Sequence, residues 1–109
     1  MVIDGYKALM IILHYGREHQ LRKVAEEFYE LIEAIWKGDS MEHVAEEIAD
    51  CRVMLEQFKQ LYNIPESVIV DISNKKIDRQ LERIQHEKEN IDIDSRNMPG
   101  TRLRNNENL

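Results

Sequence analysis

The sequence predicts an all-α domain of four helices that is completed by homo-oligomerisation. Apolar residues recur at helical spacing through most of the chain, and no segment of useful length alternates as a strand would. A chain of 109 residues has a small core, and apolar residues lie on more than one side of its helices. Those that need cover include Ile11, Ile12, Ile32, Trp36, Val53 and Leu61.

The expected helices cover residues 4–15, 20–37, 40–62 and 65–87. Gly16 marks the first break, and Pro65 suits the first turn of the last helix. Residues 1–89 are expected to form the helical domain. Residues 90–109, which contain Pro99-Gly100 and many asparagines, are expected to be a polar loop or disordered tail.

The second and third helices are expected to form an antiparallel hairpin. Gly38 suits the left-handed position just after a helix, and Asp39 or Ser40 could cap the helix that follows. Asp39 and Glu42 also have the spacing of a capping box.

An acidic pattern repeats across this turn. Val-Ala-Glu-Glu occurs at residues 24–27 and 44–47, and a further acid follows each copy three residues on, Glu30 and Asp50. Acids three apart share one helix face. Glu30 lies eight residues before Gly38, and Glu47 lies eight after Asp39. Because each helix rises about 1.5 Å per residue, these two should be level, as should Glu27 and Asp50.

Glu27 and Glu47 are expected to lie in or beside apolar stripes, where an unpaired carboxylate is costly. The stripes comprise Leu21, Val24, Phe28, Leu31 and Ile35, and Val44, Ile48, Cys51, Leu55 and Phe58. Ordinary surface glutamates are the alternative, but two matched and level copies favour a cluster for a hard divalent cation. Glu46 is expected in solvent, and Glu26 is left open between the two roles.

The fourth helix becomes basic along one face. Lys75, Arg79 and Arg83 continue the face begun by apolar residues, with Lys76 alongside. These cations could bind substrate phosphates, or they could form a solvated face. Lys23 shares the face of Glu27, as a phosphate ligand or as an internal ion-pair partner.

Other functions are disfavoured by composition. A net charge of −6 argues against sequence-independent nucleic-acid binding. The apolar run 8–13 is too short for a signal-peptide core or membrane span, so a soluble cytoplasmic protein is expected. Cys51 is expected to be a buried structural thiol. No Glu-x-x-His, zinc spacing or Gly-rich phosphate loop occurs.

The acidic pattern resembles the EExxE…ExxD signature of the MazG-like nucleoside triphosphate pyrophosphohydrolases. Here it reads Glu26-Glu27-x-x-Glu30, then Glu47-x-x-Asp50. The resemblance covers roughly residues 6–85. Lys76 can take the family's lysine position, although Gln80 stands where Asn or Arg is usual.

The resemblance implies an all-α dimer, or dimer of dimers, that cleaves a nucleotide between its α and β phosphates. It implies Mg²⁺ as cofactor, with Mn²⁺ as an alternative, held by Glu27, Glu30, Glu47 and Asp50. The metal would neutralise the triphosphate and lower the pKa of a bound water, and Glu26 or Glu27 could orient that water.

Two alternatives stay open. The same chemistry could act on another substrate such as phosphoribosyl-ATP, or the chain could be a helical interaction module that merely retains the acids.

Overall fold

The computed structural model describes the backbone of residues 3–97 and the side chains of residues 3–91. Four helices and no strands occur in this part of the chain, so the all-α prediction is confirmed. They are α1 (Gly5–Tyr15), α2 (Arg17–Lys37), α3 (Met41–Leu61) and α4 (Glu66–Asn97). The chain divides into two units, Met1–Pro65 with the first three helices and Glu66–Leu109 with the fourth.

In the first unit, α3 packs against both α1 and α2. The approach to α1 is close, because a Cβ atom added at Gly5 would collide with the side chain of Gln60. The buried apolar side chains of the described residues are few and mostly small: Ala8, Ile12, Ala34, Cys51 and Met54. Three polar side chains are buried with them, namely Gln20, Glu47 and Gln57. An interior with this much polar surface gives the unit limited hydrophobic stabilisation.

Two glycines with positive φ set the path of the chain. Gly16 (φ 92°) separates α1 from α2, and α2 begins directly after it rather than at the predicted residue 20. Gly38 adopts the left-handed conformation at the end of α2, as predicted (φ 70°, ψ 39°). Ser40 then caps α3, because its Oγ accepts a hydrogen bond from the His43 amide at 3.2 Å. The predicted hairpin turn is confirmed, with Ser40 rather than Asp39 as the cap.

The predicted apolar stripes are only partly covered in the single chain. Their exposed members are Leu21, Phe28, Ile35, Ile48 and Leu55. A stripe on a helix is broad, and one neighbouring helix covers only part of it. The outer edge of each stripe therefore faces away from the hairpin contact.

Helix α4 is longer than predicted. It ends at Asn97 rather than near residue 87, so residues 90–97 are helical where a loop was expected. No glycine or proline interrupts residues 66–97, so the asparagines alone did not end the helix. All of its described side chains are exposed. The rest of the expected tail, including Pro99-Gly100, lies outside the described residues.

Among residues 3–97, no helix combines the length and the apolar character needed to cross a membrane.

Candidate metal centre

Helices α2 and α3 bring three carboxylates together. Glu27 and Glu30 on α2 and Glu47 on α3 each offer one oxygen, and these oxygens all lie within 4.8 Å of one another. We call these three residues the acid cluster. Their meeting follows from the spacing of three on α2 and from the turn at Gly38, which places Glu30 level with Glu47.

Two members of the acid cluster are largely covered in the hairpin: Glu47 is buried and Glu27 is of intermediate burial. The side chains of Glu27 and Glu47 are 14% and 11% exposed. The Oε2 atom of each is fully buried and has no hydrogen-bond partner among the described residues. No other described side chain that is not itself exposed has such an atom. A buried carboxylate oxygen without a partner is costly, and a bound cation would remove that cost. The cluster therefore has the two properties of a site for a hard cation: oxygen ligands and carboxylate charge that no hydrogen bond compensates at these two atoms.

The other oxygens of these two carboxylates lie near basic side chains of their own helices. Glu27 Oε1 lies 3.6 Å from Lys23 Nζ, and Glu47 Oε1 lies 3.7 Å from His43 Nε2. These separations are longer than hydrogen bonds. Lys23 is about half exposed and also lies 3.8 Å from Glu26. Lys23 therefore pairs with acids of its own helix in this structure, and its role as a phosphate ligand stays a prediction.

Burial raises the pKa of the Glu27 carboxyl, and the charges of Glu30 and Asp50 raise it further. Lys23 acts in the opposite direction but does not cancel the shift. The folded chain therefore holds a proton on Glu27 at a pH where an unfolded chain would have lost it.

Asp50 is the fourth predicted ligand, and its carboxylate is not one of the three that meet within 4.8 Å. It is exposed on α3, one turn after Glu47. Its charge still raises the pKa of both Glu27 and Cys51, so it acts at short range on the same site. Its role as a ligand stays a prediction.

Cys51 lies directly behind the acid cluster. Its thiol is free and buried and donates to the backbone carbonyl of Glu27 at 3.4 Å. Burial raises its pKa, and the charges of Glu27, Asp50, Glu47 and Glu30 add to the effect. The prediction of a buried structural cysteine is confirmed.

The remaining acids of the two repeats point to solvent. Glu26 and Glu46 have side chains 64% and 77% exposed. Glu46 lies 3.7 Å from His43 Nδ1, as expected of a surface residue on this helix. Glu26 stands at the edge of a cavity beside the acid cluster.

The basic residues of α4 belong to the second unit. Lys75 Nζ lies 3.2 Å from Asp71 Oδ2 in an exposed ion pair. Lys76, Arg79 and Arg83 are exposed. Their predicted contact with substrate phosphates stays a prediction.

Two polar residues beside the acid cluster, Gln20 and Gln57, were not predicted as site residues from the sequence. Both side chains are buried, and they are hydrogen-bonded to each other across α2 and α3. Each occupies an inward helical position at which an apolar residue would be usual, and this is the only signal that the sequence offers.

The chain matches the MazG nucleotide pyrophosphohydrolase domain over residues 16–84, well over half of its length. It therefore belongs to the MazG nucleotide pyrophosphohydrolase family, and the resemblance seen in its acidic motif is confirmed. No curated protein and no solved structure gives a significant match.

We expect Glu27→Gln to stabilise the metal-free chain at pH 7, by on the order of 1 kcal/mol. The pKa of Glu27 is raised on folding, so the wild-type chain loses stability as pH rises through the folded pKa, and the variant does not. Below the ordinary glutamate pKa both states are protonated, and the gain should vanish. Urea unfolding with chelator from pH 4 to pH 8 measures this.

Glu26→Gln is the matched control, because it is the adjacent residue and is exposed. Its stability should change by only a few tenths of a kcal/mol at any pH. A destabilised Glu27→Gln chain at pH 7 would contradict the charge-burial argument.

Proposed function

We propose that this protein is a Mg²⁺-dependent hydrolase that cleaves a nucleoside or deoxynucleoside triphosphate between its α and β phosphates. The products would be a nucleoside monophosphate and pyrophosphate. One observation carries the proposal: the two buried, unpartnered Oε2 atoms of Glu27 and Glu47 lie on the acidic motif of a nucleotide pyrophosphohydrolase family. A chain that kept the motif only for helix packing would gain nothing from this arrangement.

Glu27, Glu30, Glu47 and Asp50 would hold the cation. Carboxylate oxygens suit Mg²⁺, and Mn²⁺ is an alternative with similar ligands. When bound, the ion would neutralise phosphate charge and acidify water in its shell.

Glu26 and Glu27 are the candidates for orienting the attacking water. An oxygen of Glu27 that is not bound to the cation could accept a proton from this water. Glu26 stands outside the acid cluster and next to Lys23, where a carboxylate not committed to the cation could hold the water. In the reaction a bond would form from the water oxygen to the α-phosphorus, and the bond from that phosphorus to the α–β bridging oxygen would break. The proton of the water would pass to Glu26 or Glu27, and pyrophosphate would leave with the bridging oxygen.

Cationic side chains would bind the phosphates. The ammonium group of Lys23 is close to the carboxylates of both Glu26 and Glu27. Phosphate oxygens could replace these carboxylates as its partners once the acids hold a cation. On the second unit we assign the same role to Lys75, Lys76, Arg79 and Arg83, on the basis of their common helix face. Positioning and charge stabilisation would supply most of the rate acceleration.

Self-association is part of the proposal. Large apolar side chains remain exposed on every helix of the chain, among them Trp36 at 89%, Met41 at 78% and Leu13 at 65%. Such surface is usually covered in a stable assembly. We infer a homodimer or homotetramer in which helices of both chains pack together. We place the activity in the cytoplasm, where nucleoside triphosphates are made and consumed.

We expect Glu47→Ala and Asp50→Ala each to lower Mg²⁺-dependent pyrophosphate release by at least about 100-fold, because each removes a cation ligand. The assay would screen common and damaged nucleoside triphosphates. Glu46→Ala is the matched control, since Glu46 precedes Glu47 on the same helix and is exposed.

Calorimetry with Mn²⁺ should show the same loss of metal binding in the two variants and not in Glu46→Ala. Full activity in Glu47→Ala, or in excess chelator, would overturn the site. Absence of pyrophosphate release by the wild-type chain with every nucleotide would favour the interaction-module alternative.

In light scattering at low micromolar concentration, we expect a mass of at least twice the 13.0 kDa of one chain. The physical reason is the apolar surface that one chain leaves exposed. A monomer that stays folded at this concentration would refute the inferred assembly.

Lys76→Ala and Arg79→Ala should lower kcat/KM by a transition-state cost of about 2–4 kcal/mol, the scale for losing one well-placed electrostatic donor. Metal binding without nucleotide should not change, since the acids remain. Lys88→Ala, on the same helix but outside the basic face, is the control. Near-wild-type kinetics in both variants would mean that the basic face of α4 is solvated and does not bind the substrate's phosphates.

A further inference from the structure

A cavity of about 550 Å³ opens in the first unit beside the acid cluster. Its volume lies in the range of small-molecule sites. Lys23 and Glu26 line one side, and Lys23 connects the cavity with the acid cluster because its Nζ lies 3.6 Å from Glu27 Oε1. A molecule bound here would therefore be next to any group held by the acids.

Two buried carboxamides line the cavity, and one hydrogen-bond chain orients them. His19 Nδ1 donates to Gln20 Oε1 at 2.7 Å, and Gln20 Nε2 donates to Gln57 Oε1 at 2.7 Å. Gln20 and Gln57 are only 3% and 2% exposed. Each side chain is thus a rigid polar group at a position where an apolar residue would pack as well.

The chain of hydrogen bonds ends at the amide nitrogen of Gln57, a donor that lacks a strong acceptor. Among the described residues, Gln57 Nε2 donates only to Met54 Sδ, at 3.8 Å. A thioether sulfur is a weak acceptor, and the amide nitrogen carries two hydrogens. Among the buried lining residues, the group with unused hydrogen-bonding capacity is therefore the Gln57 amide donor, which calls for an acceptor such as a carbonyl oxygen. The charged lining residues Arg22, Lys23 and Glu26 are exposed.

The cavity wall also carries aromatic and apolar surface. The rings of Tyr15 and His19 stack, with centroids 4.9 Å apart and planes at 16°. Ile11 and Met54 complete this part of the lining. Flat π-surface beside buried amides is the combination that binds a nucleobase, by stacking on its face and by hydrogen bonds to its edge.

We propose that this cavity is the base subsite of the enzyme. Gln57 would select bases with a carbonyl group at pyrimidine C4 or purine C6, namely uracil, thymine and guanine (the carbonyl bases), over cytosine and adenine, which carry an amino group at that position. The inference rests on the proposed function for the position of the triphosphate. Gln20 and His19 are positioning residues, because their hydrogen bonds engage the oxygen of the Gln57 carboxamide and leave its nitrogen as the donor for a ligand.

Binding without turnover tests the inference directly. The α,β-methylene analogues of UTP, CTP, GTP and ATP would be titrated calorimetrically in Mg²⁺, with inorganic tripolyphosphate as the ligand that lacks a base. In the wild-type protein we expect the UTP analogue to bind at least about tenfold more tightly than the CTP analogue, and the GTP analogue at least about tenfold more tightly than the ATP analogue. A difference of this size corresponds to one hydrogen-bonded contact with a base edge. Side-chain amide NMR signals of Gln20 and Gln57 should shift with the UTP analogue and not with tripolyphosphate.

Two variants separate the base from the phosphates. Gln57→Met removes the donor at similar size, and Ile11→Trp fills the cavity without altering the carboxamides. Gln57→Met should abolish the preference for carbonyl bases, and Ile11→Trp should weaken every nucleotide analogue by about tenfold or more. Tripolyphosphate affinity should change in neither. Gln60→Met is the control, since Gln60 lies three residues further along α3 and outside the cavity lining.

Equal affinity for the four wild-type analogues, or unchanged amide signals with all of them, would overturn the inference even if Gln57→Met failed to fold. Unchanged base preference in a folded Gln57→Met chain would do the same. Pyrophosphate release is a separate readout: its absence, together with selective binding of carbonyl bases, would remove the proposed hydrolysis and leave the base subsite in place.

Discussion

The placing of two carboxyl groups inside the contact between two helices is the constraint on which this molecule depends. Glu27 and Glu47 lie at the α2–α3 contact, each with one buried oxygen that has no hydrogen-bond partner in the part of the chain that the structure describes. Repulsion within the acid cluster opposes the very packing that brings α2 and α3 together. The hairpin has to be held by its turn at Gly38 and by α1, which α3 contacts on another side.

The buried residues of the first unit position the candidate site at the expense of hydrophobic stabilisation. Small apolar side chains let the helices approach closely, while Gln20, Gln57 and Glu47 occupy positions that leucine or isoleucine would fill in a more stable core. Hydrogen bonding between the two carboxamides limits the cost of burying them. In the proposed assembly, a second chain would supply the missing apolar contact, so that folding and association would be coupled.

The sequence predicted the hairpin and the burial of Glu27 and Glu47 because both follow from helix geometry. A rise of 1.5 Å per residue and one left-handed glycine suffice to place acids level across a turn. The end of α4 was mispredicted because asparagine is only a weak helix breaker. Pairing of Gln20 with Gln57 was not predictable, since periodicity gives the face of each helix but not which side chains meet between helices.

The position of Cys51 makes the single sulfhydryl of this chain an internal reporter. Burial and four nearby carboxylates keep the sulfur in its unreactive thiol form as long as α2 and α3 remain together. Alkylating reagents can reach it only when the hairpin opens, so the labelling rate follows that local opening equilibrium. A cation bound to carboxylates of both helices would hold the hairpin closed and slow the labelling. The labelling rate of one sulfur atom would therefore report whether the acids hold a cation.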